Sequence, residues 1–364
     1  MGAVEGRLRV GLTVQDSLRI AVDAMGGDFA PTAAITGAYR AAVEDGIAIL
    51  LVGDEAVIAP KLADLGPESQ SIEVVHAAES VGMDEPATTP IRKKPQSSIR
   101  ICGELVREGR AQAMVTAGNT GATLIVAKMI IGAIEGVDRP ALAAVLPNAR
   151  GRTVLLDVGA NIDSKPSHLR QFAVMGSFFA QEILGTETPR VGLMSIGEEE
   201  SKGTDLTRTV FQEMQKTSRF DFVGNVEGRD VFNGSVDVVV CDGFVGNAIL
   251  KSAESMARMV ATMIRQEIGT SWRNRLGYAL ARPALDNFAR RVDYREYGGA
   301  PLLGIEGGCF IGHGRSNPKA IRNSIRRAVE FCEAELHHKI RDKVADLHRE
   351  EERFEGQAEE TATR

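Results

Sequence analysis

Five short stretches of this 364-residue sequence join glycine to small polar or acidic side chains: DAMGGD (23–28), TAGNTGA (116–122), LDVGAN (156–161), SIGEEESKG (195–203) and CDGFVGN (241–247). Glycine lets backbone approach a ligand closely, and the N–H groups that open a helix attract an anion. Any one stretch reads equally well as a plain turn with a helix cap. Five of them at strand ends predict a site for phosphate, or a phosphate-bearing ligand, on one rim of the fold.

Strands must present these loops. The apolar runs at 18–25, 47–53, 71–77, 111–118, 152–159, 190–197 and 236–243 are rich in Val, Ile and Leu without polar alternation. Strands buried on both faces read this way. Between the runs, SSIRICGELVREG (97–109) and DLTRTVFQEMQKT (205–217) carry apolar residues three and four apart, as helices do. The alternation predicts a doubly wound α/β fold with a mostly parallel sheet, whose ligands bind beyond the carboxyl ends of the strands. Residues 18–348 read as one domain. An extension over 1–17 precedes it, and a polar, acid-rich tail over 349–364 is expected to fray.

Composition narrows the classes. Hydrophobic residues at 43% and charged residues at 25% suit a soluble enzyme, and a formal charge of −6 argues against a nucleic-acid partner. No apolar run is long enough to span a bilayer, and the opening residues lack the apolar centre of a signal peptide. Four scattered cysteines without a C-x-x-C pair fit a reducing cytoplasm. The sequence has neither G-x-x-x-x-G-K-[ST] nor G-x-G-x-x-G, and its six histidines show no metal-ligand spacing, so no metal is expected. Ser195 lacks the leading glycine of a nucleophile elbow. Cys241 has no adjacent base or cation to lower its pKa. No covalent nucleophile is announced.

The blocks AVDAMGGDFAP, SSIRICGELVREGRAQAMVTAGNTGA, RPALAAVLP, LLDVGAN, MSIGEEESKG, VVVCDGFVGN and GAPLLGIEGGCFIGHG run in that order between Leu18 and Arg327. Together they resemble the phosphate acyltransferase family known as PlsX. The resemblance implies transfer of a fatty acyl group from acyl carrier protein to inorganic phosphate, giving acyl phosphate for phospholipid synthesis. It also implies a cytoplasmic homodimer, peripheral membrane attachment, no cofactor, and an α/β fold of the isopropylmalate dehydrogenase-like type with a helical protrusion. The match is looser over 83–98 and 262–296.

That chemistry suits the residues. Phosphate near neutrality is already largely a dianionic nucleophile, so the enzyme must supply position and charge stabilisation rather than a strong base. Lys202 is placed to hold phosphate or the leaving sulfur, or is a solvated lysine at a helix start. Asn119, Thr120 and Gly121 offer donors at a helix N-terminus, or a plain cap. Gly26, Gly27 and Asp28 form a comparable close approach. Asp157, Asn161, Asp242 and Asn247 orient donors or accept the phosphate proton, or are structural turns. Glu198, Glu199 and Glu200 are expected to face outward or pair with cations. Lys93, with Ser97 and Ser98, and His313 in GHG are further anion candidates, against a solvated basic turn and a satisfied core histidine.

A protein donor adds a requirement. Acyl carrier protein is acidic, so a basic patch is expected. Residues 258–296 hold eight arginines against four acids, a surplus opposite in sign to the whole chain. There Arg265, Arg273, Arg275, Arg282, Arg290 and Arg291 surround Leu276, Leu280, Ala284, Phe288 and Val292, which recur every four residues on one helical face. Pro283 is expected to divide this segment into two short helices. The stripe packs on the core or on a dimer partner, or touches an anionic membrane surface. Rival readings are a phosphotransacetylase using acyl-CoA and a non-catalytic scaffold for carrier protein or membrane.

Overall fold

The computed structural model describes residues 18–292 and 298–362, with side chains over 18–288 and 298–349. The extension at 1–17 lies outside the described residues.

The described strands are β1 (Arg19–Asp23), β2 (Ala48–Gly53), β3 (Glu73–His76), β4 (Ala113–Thr116), β5 (Ala141–Pro147), β6 (Arg152–Leu156), β7 (Arg190–Met194), β8 (Asp221–Val226), β9 (Val238–Val240), β10 (Ala300–Leu303) and β11 (Gly308–Ile311). All seven apolar runs are strands. The sequence reading passed over β5, β8, β10 and β11. Around them lie α1 (Thr32–Asp45), α2 (Glu55–Ala63), α3 (Thr89–Arg92), α4 (Ser98–Arg107), α5 (Thr120–Val126), α6 (Pro166–Leu184), α7 (Asp205–Met214), α8 (Asp230–Asn233), α9 (Gly243–Gly269), α10 (Trp272–Val292), α11 (Pro318–Glu333) and α12 (Leu336–Ala362).

One sheet holds all eleven strands in the order β3-β2-β1-β4-β11-β10-β5-β6-β9-β7-β8. It is mostly parallel and covered on both faces, because strands apolar on both sides must be buried on both. On one face α1, α6, α11 and α12 bury Ile35, Phe172, Phe179, Ile325, Phe331 and Ile340. On the other, α4 and α5 bury Ile99, Leu105 and Val126 against Leu50, Met114 and Leu155. A fully buried side chain of this size contributes about 1.5–3 kcal/mol.

Three antiparallel steps in succession, β11 to β10, β10 to β5 and β5 to β6, reverse the strand direction across the middle of the sheet. The five glycine stretches therefore do not share one rim, as the sequence suggested. The loops after β1 and β4 leave one edge, and those after β6, β7 and β9 leave the opposite edge. The cause is simple: an apolar run reads the same whichever way its strand points.

α9 connects the two edges. It starts after β9 on the second edge and, at 27 residues and about 1.5 Å per residue, is about 40 Å long. α10 folds back along it as a single helix with Pro283 inside, not the divided pair expected from the sequence. The polar stretch from Arg349 continues α12 to Ala362.

Candidate active site

On the first edge a buried carboxylate ties two glycine loops together. Asp23 Oδ1 accepts from Met25 N (3.1 Å), and Oδ2 accepts from the Thr116 hydroxyl (2.7 Å). That hydroxyl oxygen accepts in turn from Gly118 N (3.0 Å). Burial pushes the Asp23 carboxyl up from its ordinary value, while hydrogen bonds from Ser98 and Thr116 pull it down. Gly26 is fitted to this knot: a Cβ there would stand 2.7 Å from Asp23 Oδ2 and 2.8 Å from Gly118 N. Gly27 follows with φ +101°, and Asp28 N donates to Gly314 O (2.7 Å). The sequence reading missed Asp23. Its signal was a lone acid closing an apolar strand just before Gly-Gly.

Asn119 caps α5, its Oδ1 accepting from Ala122 N (3.0 Å). Its amide donates to Met83 O (3.0 Å) and Glu85 O (2.8 Å), so the side chain is committed to holding the 82–85 turn. Thr120, next to it, is exposed, and Gly121 is half-buried. Ser97 and Ser98 are buried rather than presented to a ligand. The Ser97 hydroxyl donates to Lys94 O (2.8 Å), and Ser98 bonds Asp23. Lys94 pairs with Glu85 (2.5 Å), and Lys93 stays exposed.

The second edge repeats the device. Asp157 is fully buried, its Oδ1 accepting from Leu142 N (2.9 Å), Ala160 N (3.1 Å) and Gly159 N (3.3 Å). Its Oδ2 accepts from Asn161 N (2.6 Å) and Asn161 Nδ2 (3.0 Å). Burial raises its pKa and these donors oppose the rise. The Asn161 amide also donates to Pro140 O (2.8 Å), and Asn161 O accepts from Gly243 N (2.8 Å). Asp157 and Asn161 thus shape the loop and seat the start of α9. Asp242 caps that helix, accepting from Val245 N (2.9 Å). Asn247, one turn on, is exposed over Gly159.

Lys202 lies on this same edge, in the loop after β7, the neighbour of β9. Its turn is closed by Lys202 N donating to Glu199 O (3.0 Å), an oxygen that also accepts from Asn225 Nδ2 (3.0 Å). The lysine is exposed, and its ammonium has no partner among the described residues. Glu198 pairs with Arg229 (2.5 Å), and Glu199 and Glu200 face outward.

A groove of ≈ 1880 Å³ brings parts of both edges together. Asp28, Thr120 and His313 line it from the first edge, Asn247 from the second, and Leu142, Ala144 and Leu146 of β5 from between them. The loop carrying Lys202 is not among its lining residues. The groove is larger than the ~300–1,000 Å³ of an ordinary small-molecule pocket, so it has room for a long ligand. His313 Nδ1 accepts from Arg315 N (3.1 Å), which places the proton of the neutral ring on Nε2. Burial, with Lys251 nearby, lowers its pKa. Burial also pushes the Cys102 and Cys241 thiols well above their ordinary value, and those of Cys309 and Cys332 up to about 12. They stay protonated near neutrality and supply no thiolate nucleophile. No group of metal-ligating side chains occurs among the described residues.

A family model described as fatty acid synthesis protein matches residues 18–339. The chain is 49% identical over 327 residues to the phosphate acyltransferase of Geobacter sulfurreducens, covering 90% of this chain and 94% of that one. It is 50% identical over 324 residues to the phosphate acyltransferase of Aquifex aeolicus, covering 89% and 96%. The chain belongs to the phosphate acyltransferase family. It is an enzyme that transfers an acyl group to phosphate. The fold is shared with a phosphotransacetylase from Streptococcus pyogenes (TM-score 0.59, 16% identity, 87% of this chain and 94% of that one). EutD phosphotransacetylase from Staphylococcus aureus is similar too (TM-score 0.57, 16% identity, 86% and 94%). As in any phosphate acyltransferase, the task here is to hold an acyl donor and a phosphate together. No helix among the described residues is long and apolar enough to cross a membrane.

Proposed function

We propose that the donor is a fatty acyl thioester of acyl carrier protein, and that the enzyme works in the cytoplasm as a homodimer that touches anionic membrane. The observation that carries the donor reading is the groove, whose apolar β5 floor and volume suit a fatty chain on a long carrier arm. A phosphate oxygen attacks the thioester carbonyl carbon, forming the C–O bond and an oxyanion. Collapse restores the carbonyl and breaks the C–S bond, and the sulfur leaves as a thiolate that takes the phosphate proton. We assign Asn247 and the N–H groups that open α5 as donors to the oxyanion or the phosphate. Lys202 is an exposed cation of the second edge, and we assign it to the phosphate although its loop is not among the groove's lining residues. The test is acyl transfer from acyl carrier protein and from acyl-CoA, each with and without phosphate. Phosphate-dependent turnover with the carrier protein supports the reading, and turnover with acyl-CoA alone sinks it.

Lys202→Ala is expected to lower kcat at least tenfold, the effect of losing about 1.4 kcal/mol of transition-state contact. Steady-state rates against acyl carrier protein check this, and kinetics near wild type would make Lys202 an ordinary surface residue.

The protrusion supports the membrane and dimer readings. Leu280 is 79% and Phe288 52% exposed, so the apolar stripe of α10 does not pack on this chain's own core. Exposed apolar area on this scale marks an interaction surface. Arg265, Arg273, Arg275 and Arg282 are exposed around it, and the side chains of Arg290 and Arg291 lie outside the described residues. Leu280→Glu with Phe288→Glu is expected to abolish sedimentation with anionic vesicles at low salt while sparing activity in solution. Loss of the dimer in that variant would assign the stripe to the subunit interface. A wild type that ignores such vesicles would end the membrane reading.

A further inference from the structure

Asn247, Lys251, Glu254 and Arg258 follow one another on α9 at spacings of four, three and four residues. Those spacings put all of them on one helical face. That face lines the groove, opposite His313 of the first edge. The stripe is about 16 Å long, taking about 1.5 Å per residue. Its lower end, Asn247, stands over Gly159 of the second edge, and its upper end is cationic. Glu254, with a side chain only 11% exposed, lies between Lys251 Nζ (3.0 Å) and Arg258 (3.5 Å). It fixes where the two charges stand without using them up. An ammonium has three donors and a guanidinium five, and paired groups half open to water are held by only ~0–1 kcal/mol.

We infer that this stripe is the binding site for the phosphopantetheine arm that carries the acyl thioester, with Lys251 and Arg258 receiving its phosphodiester. This deepens the carrier-protein reading above and rests on it. A reacting carbon near Asn247 leaves the sulfur at the lower end of the stripe. The arm then extends up α9, and its only anionic group arrives at the only cationic end of the stripe. A guanidinium fork and an ammonium are the usual pair for a phosphate group. His313 faces these cations from across the groove. Arg315 on the same rim offsets Asp28, so the mouth keeps the sign a phosphodiester needs.

The same cations would also attract the phosphate cosubstrate, and the experiment separates the two. Acyl-4′-phosphopantetheine and acyl-pantetheine, which differ only in the phosphate, are compared as small donors with the wild type and with Lys251→Gln/Arg258→Gln. Both positions are about half exposed, so glutamine is tolerated in the helix; a thermal melt checks this. The wild type is expected to favour the phosphorylated donor at least tenfold in kcat/KM, through KM. The double variant should lose that preference while keeping its rate on acyl-pantetheine and its KM for phosphate. Equal losses on both donors, an unchanged preference, or a raised KM for phosphate alone would overturn the assignment. Lys251→Arg/Arg258→Lys, which keeps the charges, should restore most of the preference. If the wild type shows the preference yet ignores acyl carrier protein in favour of acyl-CoA, the carrier reading has failed and the phosphate site has not.

Discussion

Gly246→Ala is expected to cost more than a hundredfold in turnover, together with about 1–3 kcal/mol of stability. A Cβ at this position would fall 1.9 Å from Asp157 O and 2.9 Å from Cys241 Sγ. Neither neighbour can give way. Asp157 is locked by its own hydrogen bonds, and Cys241 is buried at the end of β9. The first turn of α9 would have to lift off the 157–161 loop, carrying Asn247 with it. Overpacking of this kind costs about 1–3 kcal/mol, and a displacement of about 1 Å at reacting groups costs about a hundredfold in rate. Circular dichroism melts and steady-state kinetics read the two effects separately. Gly151→Ala is the control, because a Cβ there meets no atom within 4 Å and should change neither. A Gly246→Ala enzyme with normal rates would mean that the seat of α9 is irrelevant to catalysis.

Asp157→Asn should be as damaging by another route. The carboxylate accepts from four backbone N–H groups and one side-chain amide, drawn from β5 and the whole turn before α9. An asparagine keeps the volume but turns one acceptor into a donor facing those N–H groups. Each buried donor left without a partner costs about 1–3 kcal/mol. A loss of about 3 kcal/mol or more in stability is therefore expected, with kcat down by two orders of magnitude or more as the loop loses its shape. Denaturant titration gives the first and single-turnover rates the second. Unchanged stability would show that the hydrogen-bond cage contributes nothing net. A stability loss with full activity would confine Asp157 to folding.

Both predictions come from the same feature of the molecule. The residues most engaged with the protein itself, Asp23, Asn119, Asp157 and Asn161, are not the ones free to meet a substrate. Those are Thr120 and Asn247, exposed in the first turns of α5 and α9, which Asn119 and Asn161 seat, and Lys202, exposed in the loop after β7. In the sequence the two groups look alike, since all but Lys202 are small polar residues near glycine after an apolar run. What separates them is where each side chain's hydrogen bonds go. The decisive partners are remote: Asp23 meets Thr116, and Asp157 meets Leu142 from the far side of a hairpin. No local pattern carries that information.

The sequence by itself determined a good deal. Seven strands, the helices between them, the glycine loops and the absence of an activated thiol were all legible, because they depend on composition and short-range period. The ordered blocks from Leu18 to Arg327 determined the family. Only the tertiary structure decided the direction of the strands. A run such as RTVLL buries equally well pointing either way, so the antiparallel steps through β10 and β5 left no mark on its hydropathy. Those steps put the glycine loops on opposite edges and made α9 the element that joins them. Its Lys251, Glu254 and Arg258 are ordinary charged residues in the sequence. They become one face of a groove only because the helix is long enough to cross from one edge of the sheet to the other.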